Sequence, residues 1–422
     1  MKALPTGWEY VGLLDIADSL DSRRVPVNRK ERDQRLGGVP YYGATGQVGW
    51  IDRPLFDEEL CLLGEDGAPF LDRSKSKAYL IDGPSWVNNH AHVLRALSGI
   101  TSNRFLKYAL DQVDYTPFVN GTTRLKLTKG AMGRIGIPLP PLAEQQRIVA
   151  AIEEQFSRLD AAESSLKHGR QQLALLRAAV FVEAFDGDWP LSPLSEINDP
   201  DRPICYGILM PKEHRDDGVL YVKVKDYPKG KVLLDQLNRT ASEIAAKYRR
   251  SSLRPRDILL SIRGTYGRVA VAPPELDGAN ITQDTARVAP QPHVGVDYLA
   301  AYLRSAQAQR YFRQVARGVA VKGVNIGDLR TMPVLVPPVA AQAKIVEELE
   351  RRLSIIDAME GEIDHALRAG ISLRRSILKC AFMGKLAPQD PTDEPATVLL
   401  ERIAGQRAAL SNPSRRRRNV PA

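Results

Sequence analysis

IPLPPLAEQQRIVAAIEEQF, residues 137–156, and VLVPPVAAQAKIVEELERRL, residues 334–353, are two versions of one segment. Extended on both sides, residues 140–187 align with 337–384 at a constant offset of 197 without a gap, and 17 of the 48 positions are identical. The identities include Pro140/Pro337, Pro141/Pro338, Gln145/Gln342, Asp160/Asp357, Arg177/Arg374, Phe185/Phe382 and Gly187/Gly384. A match of this length is an internal duplication, and it decides the organisation of the chain before any element is assigned.

Upstream the likeness thins but keeps its spacing. LCLLGEDG at residues 60–67 lies opposite DILLSIRG at 257–264, again at 197, and NNHAHV at 88–93 lies opposite QDTARV at 283–288, at 195. GVPYY from Gly38 matches GVLYV from Gly218, and Trp8 pairs with Trp189. The chain is therefore two copies of one plan, a variable unit followed by a better preserved segment. Two long copies are too few for a solenoid.

The variable units read as mixed and mostly β. Short apolar runs (ELCLLG, KAYLI, HVLRAL, LYVKV, DILLSI, RVAVA) are separated by Gly, Pro, Asn and Asp clusters, which is strand-and-turn punctuation. NRFLKYALDQV and DYLAAYLRSAQAQRYFRQV predict a short helix closing each unit.

The shared segments predict long helices. From Leu142 the apolar residues Val149, Ile152, Phe156, Leu159, Leu166, Leu173, Leu176 and Val180 recur in steps of three and four; Val346, Leu349, Leu353, Ile356, Ile363, Leu367 and Ile377 repeat the stripe. Paired prolines mark each start, and Gly187 and Gly384 suit the ends. Each helix spans about forty residues, roughly 60 Å at 1.5 Å per residue. Two matching stripes in one chain are most simply buried on each other, antiparallel, with a globular unit at either end. The expected fold is α+β: two mixed, mostly β domains joined by two long helices in an antiparallel coiled coil, a pseudo-twofold dumbbell. Its parts are a first domain at 1–137, a first spacer helix at 138–187, a second domain at 188–334, a second spacer helix at 335–388 and a C-terminal segment at 389–422.

Composition narrows the partners. Hydrophobic residues make up 43% of the 422 and charged residues 26%, an ordinary globular balance, and the formal net charge of +9 favours a polyanion. The absence of a long apolar run, and a start (MKALPTGWEY) without an apolar signal core, predict a cytoplasmic protein. Cys61, Cys205 and Cys380 are scattered and odd in number, so they predict small buried apolar residues rather than a disulfide framework or zinc cluster. The arginine run at residues 415–418 reads as a solvated, disordered basic tail.

With IPLPPLAEQQRIV opening the first long helix, AFDG and AFMGKL closing the two, and units in the order variable, conserved, variable, conserved, the sequence resembles the specificity subunit of type I restriction-modification enzymes over nearly its whole length. The resemblance implies two target recognition domains, each reading one half of a bipartite double-stranded DNA site, and a spacer of two antiparallel helices. It implies a non-catalytic phage-defence subunit. Two modification subunits would use S-adenosylmethionine, and restriction subunits would use ATP and Mg; this chain itself would hold no cofactor.

The motifs absent from the sequence agree with that expectation. There is no phosphate loop ending in Lys-Ser or Lys-Thr, no dinucleotide glycine fingerprint and no His-Glu-x-x-His. The stretch nearest an adenine-flipping pocket, NDPDRP at Asn198, lacks the second proline and the aromatic. Glu65 and Asp66 of GEDG could suggest a metal, but SIRG replaces them with Ile262 and Arg263. The other readings are a stand-alone site-specific nuclease or methyltransferase with a degenerate catalytic motif, or a bridging protein without DNA affinity. The net charge and the divergence of the two variable units argue against the bridging protein.

Candidate DNA contacts are the turn residues whose side chains reach base edges or phosphates. In the first unit these are Tyr41, Tyr42, Lys75, Lys77, Asn88, Asn89 and His90. In the second they are Lys223, Lys225, Arg263, Thr265, Tyr266, Arg268, Asn280 and Gln283. Glu144, Gln145, Arg147, Gln342 and Lys344, expected to be exposed beside the apolar stripe, are candidate contacts for the modification subunits.

Overall fold

The computed structural model describes residues 4–319 and 321–411, so the arginine run at 415–418 lies outside the described residues. The chain forms two compact units, one of Met1–Leu166 with Asp364–Ala422, the other of Lys167–Ile363. The two cuts, after Leu166 and after Ile363, are themselves 197 residues apart.

In the first unit the central strand Leu60–Gly64 is buried along its whole length. A strand covered on both faces reads as a continuous apolar run, which is why LCLLG does not alternate. It pairs antiparallel with Ala78–Ile81 on one side and Ala91–Ala96 on the other, with Cys61 opposite Leu94, and Ala17–Ser19 completes the sheet. A second sheet holds Gly46–Ile51, Val39–Gly43, Pro84–Val87 and Phe56–Asp57, with Tyr41 parallel to Trp86. The helix Asn103–Gln112 is capped by Ser102, whose Oγ accepts from Phe105 N, and it buries Phe105, Leu106 and Leu110 in the unit's main core.

The second unit repeats these roles. Its central strand Ile258–Ser261 is wholly buried and lies between Val269–Val271 and Thr285–Val288, with Cys205–Tyr206 at the edge. Val219–Val222 pairs with Asn238–Thr240 and, in parallel, with Asn280–Ile281. The closing helical stretch breaks at Ser305 into Val296–Arg304 and Ala306–Val315, because Ser305 turns extended and its Oγ caps the second piece at Ala308 N. A two-stranded clamp ties the ends of each domain together: Glu9 opposite Leu139 in one, Leu191 opposite Leu335 in the other.

The long helices run from Leu142 to Ala184 and from Val339 to Ala381, 43 residues each. Both begin by giving an amide to the second proline's carbonyl, Gln145 N to Pro141 O (2.9 Å) and Gln342 N to Pro338 O (3.0 Å). Their stops differ. Gly384 adopts a left-handed φ of +67° while Lys385 N returns to Cys380 O (2.9 Å), a glycine stop. Gly187 lies equally far beyond its helix but does not take the left-handed conformation of Gly384; it makes room for Trp189, whose indole Nε1 would lie 2.2 Å from an added Cβ.

Each unit contains part of both helices. In the first, Ile152, Phe156 and Leu159 share a core with Ile377, Leu378 and Ala381. In the second, Leu173 and Val180 share one with Leu349, Leu353, Ile356 and Ile363. Leu176 departs from the expected stripe: it is 49% exposed, as is its counterpart Leu373. Cys61 and Cys205 are buried, and burial raises both thiols above their ordinary range, but Cys380 is exposed, contrary to expectation. No helix among the described residues is long and apolar enough to cross a membrane.

Candidate nucleic-acid interface

In the second unit the central strand leads into a loop pinned by its last residue. Ser261 Oγ donates to Thr265 O (2.6 Å) and accepts from Arg268 N (2.8 Å), while Gly264 and Gly267 supply left-handed turns. Arg263 Nη1 donates to Gln283 Oε1 (3.3 Å), and Arg268 Nη1 to Val224 O (3.4 Å), next to Lys223 and Lys225. The Lys223 ammonium lies 5.0 Å from the centre of the Tyr221 ring. These contacts gather Lys223, Lys225, Arg263, Arg268 and Gln283 near one another. Lys225, Arg263 and Thr265 are exposed, and Lys223, Tyr266, Arg268 and Gln283 are half-buried. None of the four cations pairs with a carboxylate among the described residues. Asn280 stands apart from this surface. It is buried, its Oδ1 accepting from Ser251 Oγ (2.7 Å) and its Nδ2 donating to Tyr248 O (3.2 Å), so it braces the interior.

The first unit divides its candidates more sharply. Asn89 is exposed and His90 half-buried, and Glu65 N donates to His90 O (2.8 Å), which places this turn against the GEDG loop. Three expected contacts are interior. Tyr41 packs with Ile51 and Trp86 and donates its hydroxyl to Val27 O (3.2 Å). Asn88 Oδ1 accepts from His90 N (2.8 Å), an Asx turn. Lys77 Nζ closes its own loop onto Asp72 O (2.7 Å) and Lys75 O (2.5 Å), and burial pulls the ammonium below the usual lysine range. Tyr42 leans on Tyr79, and Lys75 is exposed beside Asp72 (3.6 Å).

Glu65 also belongs to the only trio among the described residues with the donor spacing for a metal, Asp21, Glu65 and His92. The space is already used. Arg24 reaches Glu65 (2.7 Å) and Asp21 (3.4 Å), and the two ring nitrogens of His92 face Asp21 Oδ2 (2.6 Å) and Leu127 O (2.8 Å). Burial would raise the Asp21 carboxyl, but His92 and Arg24 hold it below its ordinary value. This is a balanced ion-pair network under the sheet. Asp66 is similarly taken, by Arg124 (2.7 Å) and His90 (3.4 Å).

Sequence reasoning missed one element entirely. In the first unit Val119–Asn120 and Lys126–Leu127 form an antiparallel ribbon turning at Gly121; in the second, Arg317 and Gly323 bridge across a turn at Gly318. Each ribbon lies against the loop after its central strand, through Asp66 with Lys126 and Arg263 with Gly323. The signal was available: NGTTRLK and RGVAVKG sit opposite each other at the same offset of 197.

Two recognition-like units built on one plan, each with a polar turn surface at its central strand, match one family. A model of the type I restriction modification DNA specificity domain covers residues 5–172 and 212–368. The chain belongs to this specificity family. It is 29% identical over 364 residues to the type I restriction enzyme EcoBI specificity subunit of Escherichia coli, covering 77% of this chain and 76% of that one. It is 25% identical to a putative type I restriction enzyme specificity subunit of Haemophilus influenzae, covering 81% and 87%. Among solved structures, a chain from a study of complex assembly and conformational transition of the type I restriction-modification system matches with a TM-score of 0.70 at 19% identity, over 91% of this chain and all of that one. The HsdS subunit of Thermoanaerobacter tengcongensis matches at 0.57 and 18%, over 90% and 98%. These two likenesses concern the fold.

In this specificity-family chain the helix-start residues are not the exposed set expected. Gln145 is buried and donates from Nε2 to Ile100 O (2.9 Å) and Pro140 O (3.0 Å); Gln342 is buried and donates to His293 O (3.1 Å) and Pro337 O (2.8 Å). The identical glutamines thus tie each helix start to its own domain. Glu144 is buried too, accepting from Trp8 Nε1 (3.0 Å) and Gln389 Nε2 (3.4 Å). Arg147 is half-buried against Asp393 (2.5 Å) and Pro388 O (3.2 Å). Only Lys344 is exposed as expected.

Proposed function

We propose that this chain is the non-catalytic DNA-recognition subunit of a type I restriction-modification complex. Each unit reads one half of a bipartite site in double-stranded DNA, and the long helices, packed antiparallel, hold the two readers at a fixed spacing. Two modification subunits bring S-adenosylmethionine, and restriction subunits bring ATP and Mg. The observation that carries the reading is that one strand, loop and helix plan occurs twice in a family-member chain, with different polar turns presented on the same scaffold. Duplication of the scaffold suits two copies of a partner, and divergence of the turns suits two different half-sites.

The test is genetic and direct. Deleting the gene should erase one bipartite methylated-adenine motif from the host genome, and replacing residues 1–137 with the corresponding unit of a relative should rewrite one half of that motif. A deletion that leaves every methylated motif in place would overturn the reading. Methylation by the purified chain alone would instead favour the stand-alone methyltransferase.

A further inference from the structure

The two glycine turns correspond residue by residue. Gly121 and Gly318 have φ of +111° and +122°, and a Cβ on either would fall 2.4 Å or 2.3 Å from a carbonyl oxygen of its own loop, Arg124 O and Val321 O. A side chain at either position would meet the backbone of its own loop, so glycine is required at the same place in both turns. The flanking register is also repeated, Asn120 opposite Lys126 and Arg317 opposite Gly323.

What changes is the chemistry at the tip. The first turn presents Thr122, Thr123 and Arg124, all exposed; the second presents Val319 and Val321, 105% and 62% exposed. Two bare valines contribute nothing to the core, and they stand among exposed cations, Arg317, Lys322 and Arg263. A two-stranded ribbon fits the major groove, cations beside it meet phosphates, and an apolar side chain at its tip meets the C5-methyl group of thymine.

We infer that the glycine turns at Gly121 and Gly318 are the base-reading tips of the two units, and that they read by different chemistry. Val319 and Val321 sense thymine methyl groups, whereas Thr122 and Thr123 read hydrogen-bonding edges, with Arg124 held beside them by Asp66. This rests on the DNA-recognition reading above.

The experiment uses the assembled methyltransferase complex and a duplex carrying its mapped methylated motif. Replacing thymines of one half-site by deoxyuridine keeps pairing and removes only the methyl group. In the half-site read by the second unit the substitution should weaken binding about fourfold per contacted thymine, the factor that one buried methyl group supplies. A complex carrying Val319→Ala and Val321→Ala should lose that sensitivity, and Thr122→Val with Thr123→Val should alter methylation preference in the other half-site only. Deoxyuridine without effect in both half-sites, or sensitivity that survives the valine substitutions, would overturn the inference and leave DNA recognition standing. An unsubstituted complex that binds its motif no better than a scrambled duplex would instead remove the reading on which it rests.

Discussion

Arg374 Nη2 lies 2.5 Å from Asp160 Oδ1, joining the late part of one long helix to the early part of the other, and Arg374 also reaches Glu163 at 3.5 Å. Both are first-unit contacts. The second unit contains the reciprocal set, Arg177 with Asp357 and, at 3.1 Å, with Glu360. All six residues are identities of the internal repeat, so their preservation has a physical cause: each copy of the arginine pairs with the acids of the other copy. The Arg374 guanidinium also lies 5.2 Å from the Phe156 ring centre.

Replacing Arg374 by Met should therefore loosen only the first unit. The ion pairs are partly exposed, so a double-mutant cycle with Asp160→Asn should give a coupling on the order of 0.5 kcal/mol, decreasing with salt. Hydrogen exchange should quicken around residues 152–166 and 370–381 and stay unchanged around 173–184. Arg177→Met should do the reverse. Exchange that quickens equally in both units for either variant would show that the two sets do not act separately.

Gln145→Ala should cost about 1–3 kcal/mol, because it strands two buried carbonyls, Ile100 O and Pro140 O, and Gln342→Ala about 1–2 kcal/mol, because it strands the buried Pro337 O while His293 is exposed. Lys344→Ala, on an exposed position, should stay within about 0.5 kcal/mol. Denaturant midpoints check both; equal effects would mean that the buried amides are satisfied in some other way.

These glutamines mark the limit of what the sequence discloses. The offset of 197 revealed the duplication, the strands at LCLLG and DILLSI and the helix starts, because burial periodicity and proline are local signals. Whether Gln145 faces solvent or a carbonyl forty-five residues earlier depends on tertiary placement, which a helix stripe does not encode. Lys77, Asn88 and Asn280 misled for the same reason: residue types that reach DNA also satisfy buried backbone. The glycine turns carry a weaker signal: NGTTRLK and RGVAVKG share only Gly121 and Gly318, and neither shows the alternation of a half-buried strand.

Glu144 offers a pH test. Burial is the largest influence on its carboxyl and raises it above the ordinary value, with the hydrogen bonds from Trp8 and Gln389 opposing. A group raised on folding contributes stability below its unfolded value and loses it as pH rises through the folded value. At neutral pH the ionised carboxylate is thus a net cost, and Glu144→Gln, which keeps an acceptor for Trp8, should gain up to about 1 kcal/mol. The gain should vanish in mild acid. A variant less stable than the parent at neutral pH would show that the charge, through Arg147, stabilises the fold.

The first unit holds residues up to Leu166 together with those from Asp364, and the second holds Lys167–Ile363, so the two cuts mark where both helices can be lengthened without disturbing either set of ion pairs. Inserting four residues after Leu166 and four after Ile363 would add roughly 6 Å to both helices, and four residues are close enough to one 3.6-residue turn to keep the apolar stripes nearly in line. With DNA rising about 3.4 Å per base pair, the unspecified spacer of the methylated motif should grow by one or two base pairs while both half-sites keep their letters. Two-residue insertions at the same places should turn the stripes away from each other and lower the melting temperature. Long-read mapping of methylated adenines reads the first outcome and calorimetry the second. A four-residue variant that methylates at the parental spacing would show that something other than the paired helices sets the distance between half-sites.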